Sequence, residues 1–134
     1  MLFRSASLTH YGPAERLLRD ALQRMEAQNE GETQRKISAM SDLGEVLRWQ
    51  SKHEEALWYF TRATGLAKRR SRELGETYPL LFQRYAETQV EFGTYTNAQA
   101  LLLEAARHYT RLHGPTNQPL GSLLTSYEIG RAHV

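Results

Sequence analysis

The sequence predicts an all-α fold built from antiparallel helix pairs. Three observations point there. The first is periodicity. Ile37, Met40, Leu43, Gly44 and Leu47 fall at spacings of three and four, the stripe of one amphipathic helix. After the polar break Gln50-Ser51-Lys52, residues Ala56, Leu57, Phe60, Ala63 and Leu66 draw a second stripe. Helices joined by so short a link are antiparallel neighbours. The second observation is residue size. Gly44, Ala56 and Ala63 are small residues on the inner faces, where a larger side chain would hold a neighbouring backbone off.

The third observation is recurrence. Ala14, Ala56 and Ala98 are spaced by 42 and 42 residues (56−14 and 98−56), and Ala21, Ala63 and Ala105 repeat that spacing. Leu18, Phe60 and Leu102 fill the large position between them, and Tyr11, His53 and Tyr95 precede them in register. A pattern that holds over three copies predicts a repeat in which each unit stacks on the next.

Taken in order, the elements are as follows. Residues 1–10 read as disordered or artefactual. Tyr11 to about Gln28 reads as the second helix of a pair whose first is missing, with Pro13 in its first turn and a stripe of Ala14, Leu17, Leu18, Ala21, Leu22 and Met25. Gly31 supplies a left-handed stop. Thr33 is the expected N-cap of a helix over 34–50. Ser51, with Glu54 three residues on, fits a capping box for a long helix reaching Ser71. The basic tail Lys68-Arg69-Arg70-Ser71-Arg72 reads as a solvated helix end with charge that suits the dipole. Thr77 and Pro79 open the next helix, which runs to Phe92. Gly93-Thr94 turns it, and Thr94 or Thr96 caps a helix ending near Leu112. Residues 117–127 read as a final half unit carried by Leu120, Leu123, Leu124 and Tyr127. The repeat domain thus spans 11–127, as half unit 11–31, units 33–72 and 77–113, and half unit 117–127, with about five helices.

These residues resemble the tetratricopeptide repeat. Met40, Leu43, Gly44, Leu47, Ala56, Phe60 and Ala63 match its pattern in one copy. Phe82, Tyr85, Ala86, Gly93, Tyr95, Ala98, Leu102 and Ala105 match it in the next. The 42-residue spacing, with inserts such as Leu74-Gly75-Glu76-Thr77-Tyr78-Pro79 and the stretch from Leu112 to Pro119, is similar to the kinesin-light-chain-like subclass. The resemblance implies a right-handed solenoid, a scaffold that binds protein or peptide along its concave face, and no catalysis. Members of this type are often fused to catalytic domains, so the alternative is a regulatory or sensor arm of a larger signalling protein or enzyme.

Composition narrows the function classes. The chain has 134 residues, room for one domain, and no cysteine, which excludes disulfides and thiol chemistry and suits a reducing, cytoplasmic setting. Its 17 basic and 15 acidic residues leave a net charge of +2, too balanced to expect nucleic acid. Mean hydropathy is −0.60, as a thin solenoid core would give, and no apolar run is long enough for a membrane span. The two ends read differently from the middle. Leu2-Phe3-Arg4-Ser5 and Glu128-Ile129-Gly130-Arg131-Ala132-His133-Val134 match the translation of adapters used in short-read DNA sequencing. Residues 128–134 are therefore expected to be a non-native tail on a translated gene fragment. Cut repeat faces at both ends would favour self-association.

No catalytic, cofactor or metal constellation is expected. His10, His53, His108, His113 and His133 lack zinc-site spacing, and no nucleophile elbow or phosphate loop occurs. Glu54 and Glu55 are adjacent at a helix start and cannot face one substrate. In the stack that the resemblance implies, the first helix of each pair lines the groove. Its residues outside the packing stripe are Ser38, Ser41, Glu45, Arg48 and Trp49, then Leu80, Gln83, Glu87, Val90 and Glu91. Of these, Ser41, Glu45, Arg48, Trp49, Gln83, Glu87, Val90 and Glu91 are the candidate peptide contacts. The mixed charge suits an extended peptide rather than a clamp for chain-terminal carboxylates. Trp58 and Tyr59, beside the core residue Phe60, are expected to be partly buried against adjacent repeats.

Overall fold

The structure, a computed structural model, describes residues 2–28 and 34–115. Every regular element among them is helical: α1 (Leu2–Ala27), α2 (Gln34–Trp49), α3 (His53–Ala67), a 3₁₀ turn (Lys68–Arg70), α4 (Ser71–Leu74), α5 (Thr77–Phe92) and α6 (Tyr95–His113). Two compact units divide between Leu66 and Ala67. The expected cap Thr33, the stop Gly31, the half unit 117–127 and the tail 128–134 lie outside the described residues.

In the first unit the expected stripes are the core. Ile37, Met40, Leu43, Gly44 and Leu47 of α2 are buried, and so are Ala56, Phe60 and Ala63 of α3. Phe60 lies against Gly44: a Cβ on that glycine would stand 2.6 Å from the ring. The hydrogen side chain is what admits the aromatic. Burying a ring of this size contributes about 1.5–3 kcal/mol.

The α2–α3 turn is a Schellman stop. Lys52 N–H donates to the Leu47 carbonyl at 2.9 Å, and Ser51 N–H to Arg48 at 2.9 Å, with Ser51 left-handed at φ 63°. Ser51 therefore ends α2 and does not cap α3. The capping-box expectation fails because the turn needs a positive φ at Ser51, whereas an N-cap residue is extended. The first helical bond of α3 runs from Ala56 N–H to Lys52, which holds the N-cap position.

Helix α1 begins at Leu2, ahead of the start at Tyr11 read from the sequence, and Pro13 lies within it. No glycine or proline interrupts residues 2–10. Leu22 and Met25 are buried, but Leu17 is 72% exposed, contrary to its place in the expected stripe. At about 100° per residue, Leu17 lies roughly 110° round the helix from the middle of Leu22 and Met25.

The second unit pairs α5 with α6. Tyr78, Leu81, Phe82 and Ala86 of α5 are buried, as are Ala98, Leu102, Ala105 and Tyr109 of α6. The expected long helix to Ser71 is not continuous. It tightens into the 3₁₀ turn at Lys68, and Arg70 (φ −129°, ψ 26°) leaves helical geometry before α4. That bend brings Leu74 into the interior. Thr77 is already helical, the N-cap position falls to Glu76, and no side chain caps the helix. Pro79 sits in the first turn of α5, where its missing N–H costs nothing.

The α5–α6 turn repeats the first one. Thr94 N–H donates to the Gln89 carbonyl at 2.8 Å and Gly93 N–H to Val90 at 3.2 Å, with Gly93 at φ 94°. Gly93 lies 42 residues after Ser51 (93−51), so the same stop recurs at the spacing of the buried alanines. Thr94 holds the N-cap position of α6, but its hydroxyl donates back to the Gln89 carbonyl at 3.2 Å and not to α6.

Candidate peptide-binding surface

The residues singled out on α2 do not share one fate. Ser41 is 1% exposed and offers nothing to a partner, a correction that follows from its position beside the Ile37–Leu47 stripe. Glu45 and Arg48, one turn apart, pair at 2.6 Å, and the Arg48 guanidinium lies 4.9 Å from the Trp49 ring centre. Trp49 is 51% exposed and stacks almost parallel on Tyr11 of α1, with ring centres 6.3 Å apart and planes at 7°. Glu45, Arg48 and Trp49 are thus one cluster, and Tyr11 joins it from a helix the sequence reading had not linked to it. A half-exposed indole held by a second ring and a guanidinium has lost rotamer freedom before any ligand arrives.

On α5, Gln83 is fixed at both ends of its amide. Its Nε2 donates to Glu87 at 2.9 Å, and its Oε1 accepts from the Tyr109 hydroxyl at 3.2 Å. Burial pushes the Tyr109 phenol up to about 12, so it remains a donor at neutral pH. Leu80 and Val90 are half-buried and Glu91 is exposed. Behind this strip, the His108 ring packs on Tyr78 at 4.4 Å. Arg111 meets His108 Nδ1 at 2.7 Å, and Nε2 lies 3.0 Å from Glu104. The neutral tautomer protonated at Nε2 satisfies both contacts. Burial and the Arg111 charge push the imidazole below its ordinary value, against the pull of Glu104.

A polar latch crosses the first unit. Glu15 of α1 accepts from Gln50 Nε2 at 2.8 Å, from Lys52 Nζ at 3.0 Å and from Arg19 Nε at 2.9 Å. Arg19 continues to Glu55 at 2.5 Å and to the Tyr59 hydroxyl at 3.3 Å. Burial would raise the Glu15 pKa, but the bonds from Arg19, Lys52 and Gln50 outweigh it and hold the carboxyl at about 2. Lys36 of α2, almost buried, reaches Glu26 of α1 at 2.6 Å. Sequence reasoning missed this latch. Its only local signal is the one-turn spacing of Glu15 and Arg19.

Trp58 is 54% exposed, Tyr59 is half-buried, and the two rings meet edge-on at 4.8 Å. Part of the basic run is balanced locally, through Arg70 and Glu73 at 3.0 Å. Among the described residues, no group of three or more His, Cys, Asp or Glu side chains could hold a metal, and no helix is long and apolar enough to cross a membrane. Compared with models of known protein families the chain matches none, and no curated protein matches it.

Proposed function

We propose that this chain is a non-catalytic peptide-binding module of the tetratricopeptide type, in the long-repeat form similar to kinesin light chains. Its setting is cytoplasmic and its ligand an extended protein segment. The recurrence of one helix stop and one set of buried small residues at 42-residue spacing supports the repeat. The observation that carries the binding reading is Trp49. A large indole left half exposed, yet braced by Tyr11 and Arg48, has the character of an interface anchor. Beside it Glu45 supplies a part-exposed carboxylate, while Arg48, buried and paired with Glu45, braces the indole and does not meet the ligand. Gln83, Glu87, Val90 and Glu91 supply a corresponding strip on α5. Ser41 takes no part.

Selection of random displayed peptides on the intact chain tests this. Enriched peptides should lose roughly thirtyfold in affinity for Trp49→Ala, the size of a hot-spot truncation of about 2 kcal/mol. The variant should melt close to wild type, because the side chain is half exposed. Peptides that bind the variant equally well, or no enrichment at all, would refute the reading.

A further inference from the structure

A second cluster, on a different face of the first unit, has a chemistry of its own. Trp58 and Arg62 stand one turn apart on α3, with the guanidinium 5.4 Å from the indole centre. On one side of this pair is a cleft of about 310 Å³, lined by Arg19, Leu22, Met40 and Tyr59 among others. On the other is a shallow depression of about 480 Å³, edged by Glu54, Leu57 and Thr61. Trp58 and Arg62 border both and form the ridge between them.

The charges beside the cleft are mostly committed. Arg19 is bonded to Glu15 and Glu55, and Glu26 to Lys36. Arg62 differs. Among the described residues its guanidinium lies over the Trp58 face and makes no ion pair, although Glu26 lines the same cleft and Glu54 the same depression. An arginine stacked on an aromatic keeps its planar donor fork free for a carboxylate. The floor beside it, Leu22 and Met40, is apolar.

We infer that the Trp58–Arg62 ridge is a second docking site, for a peptide segment of a partner protein in which an acidic residue neighbours a large aliphatic one. The carboxylate pairs with the Arg62 fork, and the aliphatic side chain enters the cleft over Leu22 and Met40. This site shares no residue with the Trp49 cluster.

The test is an NMR titration of the intact, isotope-labelled chain, following the Trp58 indole N–H and the Arg62 Nε–H. The probe is a short acetylated and amidated peptide of alternating glutamate and leucine, and its control the lysine–leucine twin. The expected result is a saturable shift of both signals with the acidic peptide alone. Arg62→Gln should weaken it roughly tenfold, the effect of losing one charge-assisted hydrogen bond. Arg62 is exposed, so the variant folds, and an unchanged melting curve verifies it. The inference is overturned by no saturable shift at millimolar peptide, by equal binding of the lysine twin, or by undiminished binding to Arg62→Gln. Shifts confined to Trp49 also overturn it, while leaving the α2 reading intact.

Discussion

Gly44→Ala sets two familiar effects against each other. Alanine is the better helix former, by about 1 kcal/mol. At Gly44, however, the new methyl would stand 2.6, 2.7 and 3.0 Å from Cε1, Cζ and Cδ1 of Phe60. Comfortable carbon contacts lie at about 3.5–4.0 Å, so the ring edge must retreat by roughly 1 Å. Phe60 is completely buried and cannot swing into solvent. Overpacking of this kind costs about 1–3 kcal/mol, and a whole ring edge against a methyl belongs at the upper end. The net expectation is a loss of about 1–2 kcal/mol. Gly65, in α3, is the control. It is exposed and a Cβ there meets nothing within 4 Å, so Gly65→Ala should gain about 0.5–1 kcal/mol from propensity alone. The second unit supplies the rescue. Forty-two residues on, the positions of Gly44 and Phe60 hold Ala86 and Leu102, both buried. Combining Gly44→Ala with Phe60→Leu imports that pairing and should recover most of the loss. Urea denaturation followed by far-UV circular dichroism measures all four proteins. If Gly44→Ala proved as stable as Gly65→Ala, the close packing of α2 on α3 would be wrong.

Two further expectations concern the helix stops and the Glu15 latch. Ser51→Gly should stabilise by about 0.5–1 kcal/mol by removing a side chain from a left-handed position, and Gly93→Ser should destabilise by about 1–2 kcal/mol; opposite shifts in the urea midpoint check the pair. Acid should weaken the Glu15 latch. Its folded pKa of about 2 lies below the ordinary 4.5, so its contribution is complete above pH 4.5 and is lost as pH falls toward 2. The loss is of order 1–2 kcal/mol once screening at its partly exposed partners is allowed for. Glu15→Gln should flatten that part of the stability–pH curve, and an unchanged curve would count against the latch.

The core was legible because helical spacing is a local property. Ile37, Met40, Leu43 and Leu47 name one face of α2 without reference to anything else, and the 42-residue echo identified Ala56, Phe60 and Ala63. Leu17 was misplaced because a stripe drawn from one helix has soft edges, and only the packed neighbour decides which edge is covered. Ser51 was misread because a serine before an acidic residue suits a helix start, while the same residue between two helices also serves as a stop. The pattern does not show the sign of φ. The latch was invisible for a different reason. Glu15 meets Gln50 and Lys52 across 35 and 37 residues, and no periodicity joins partners that far apart. The candidate site was legible in part. Glu45, Arg48 and Trp49 fell together, but the stacking of Tyr11 and the burial of Ser41 depend on tertiary contact.

The twin stops at Leu47–Lys52 and Gln89–Thr94 have a consequence for how such a gene changes length. The backbone takes the same course through both, with the same two carbonyls accepting at the same offsets. A crossover between the two coding segments would delete or duplicate 42 codons and still leave each junction as a helix, a closed turn and a helix. These turns are seams. On the repeat reading proposed above, copies would be gained or lost there in whole 42-residue steps.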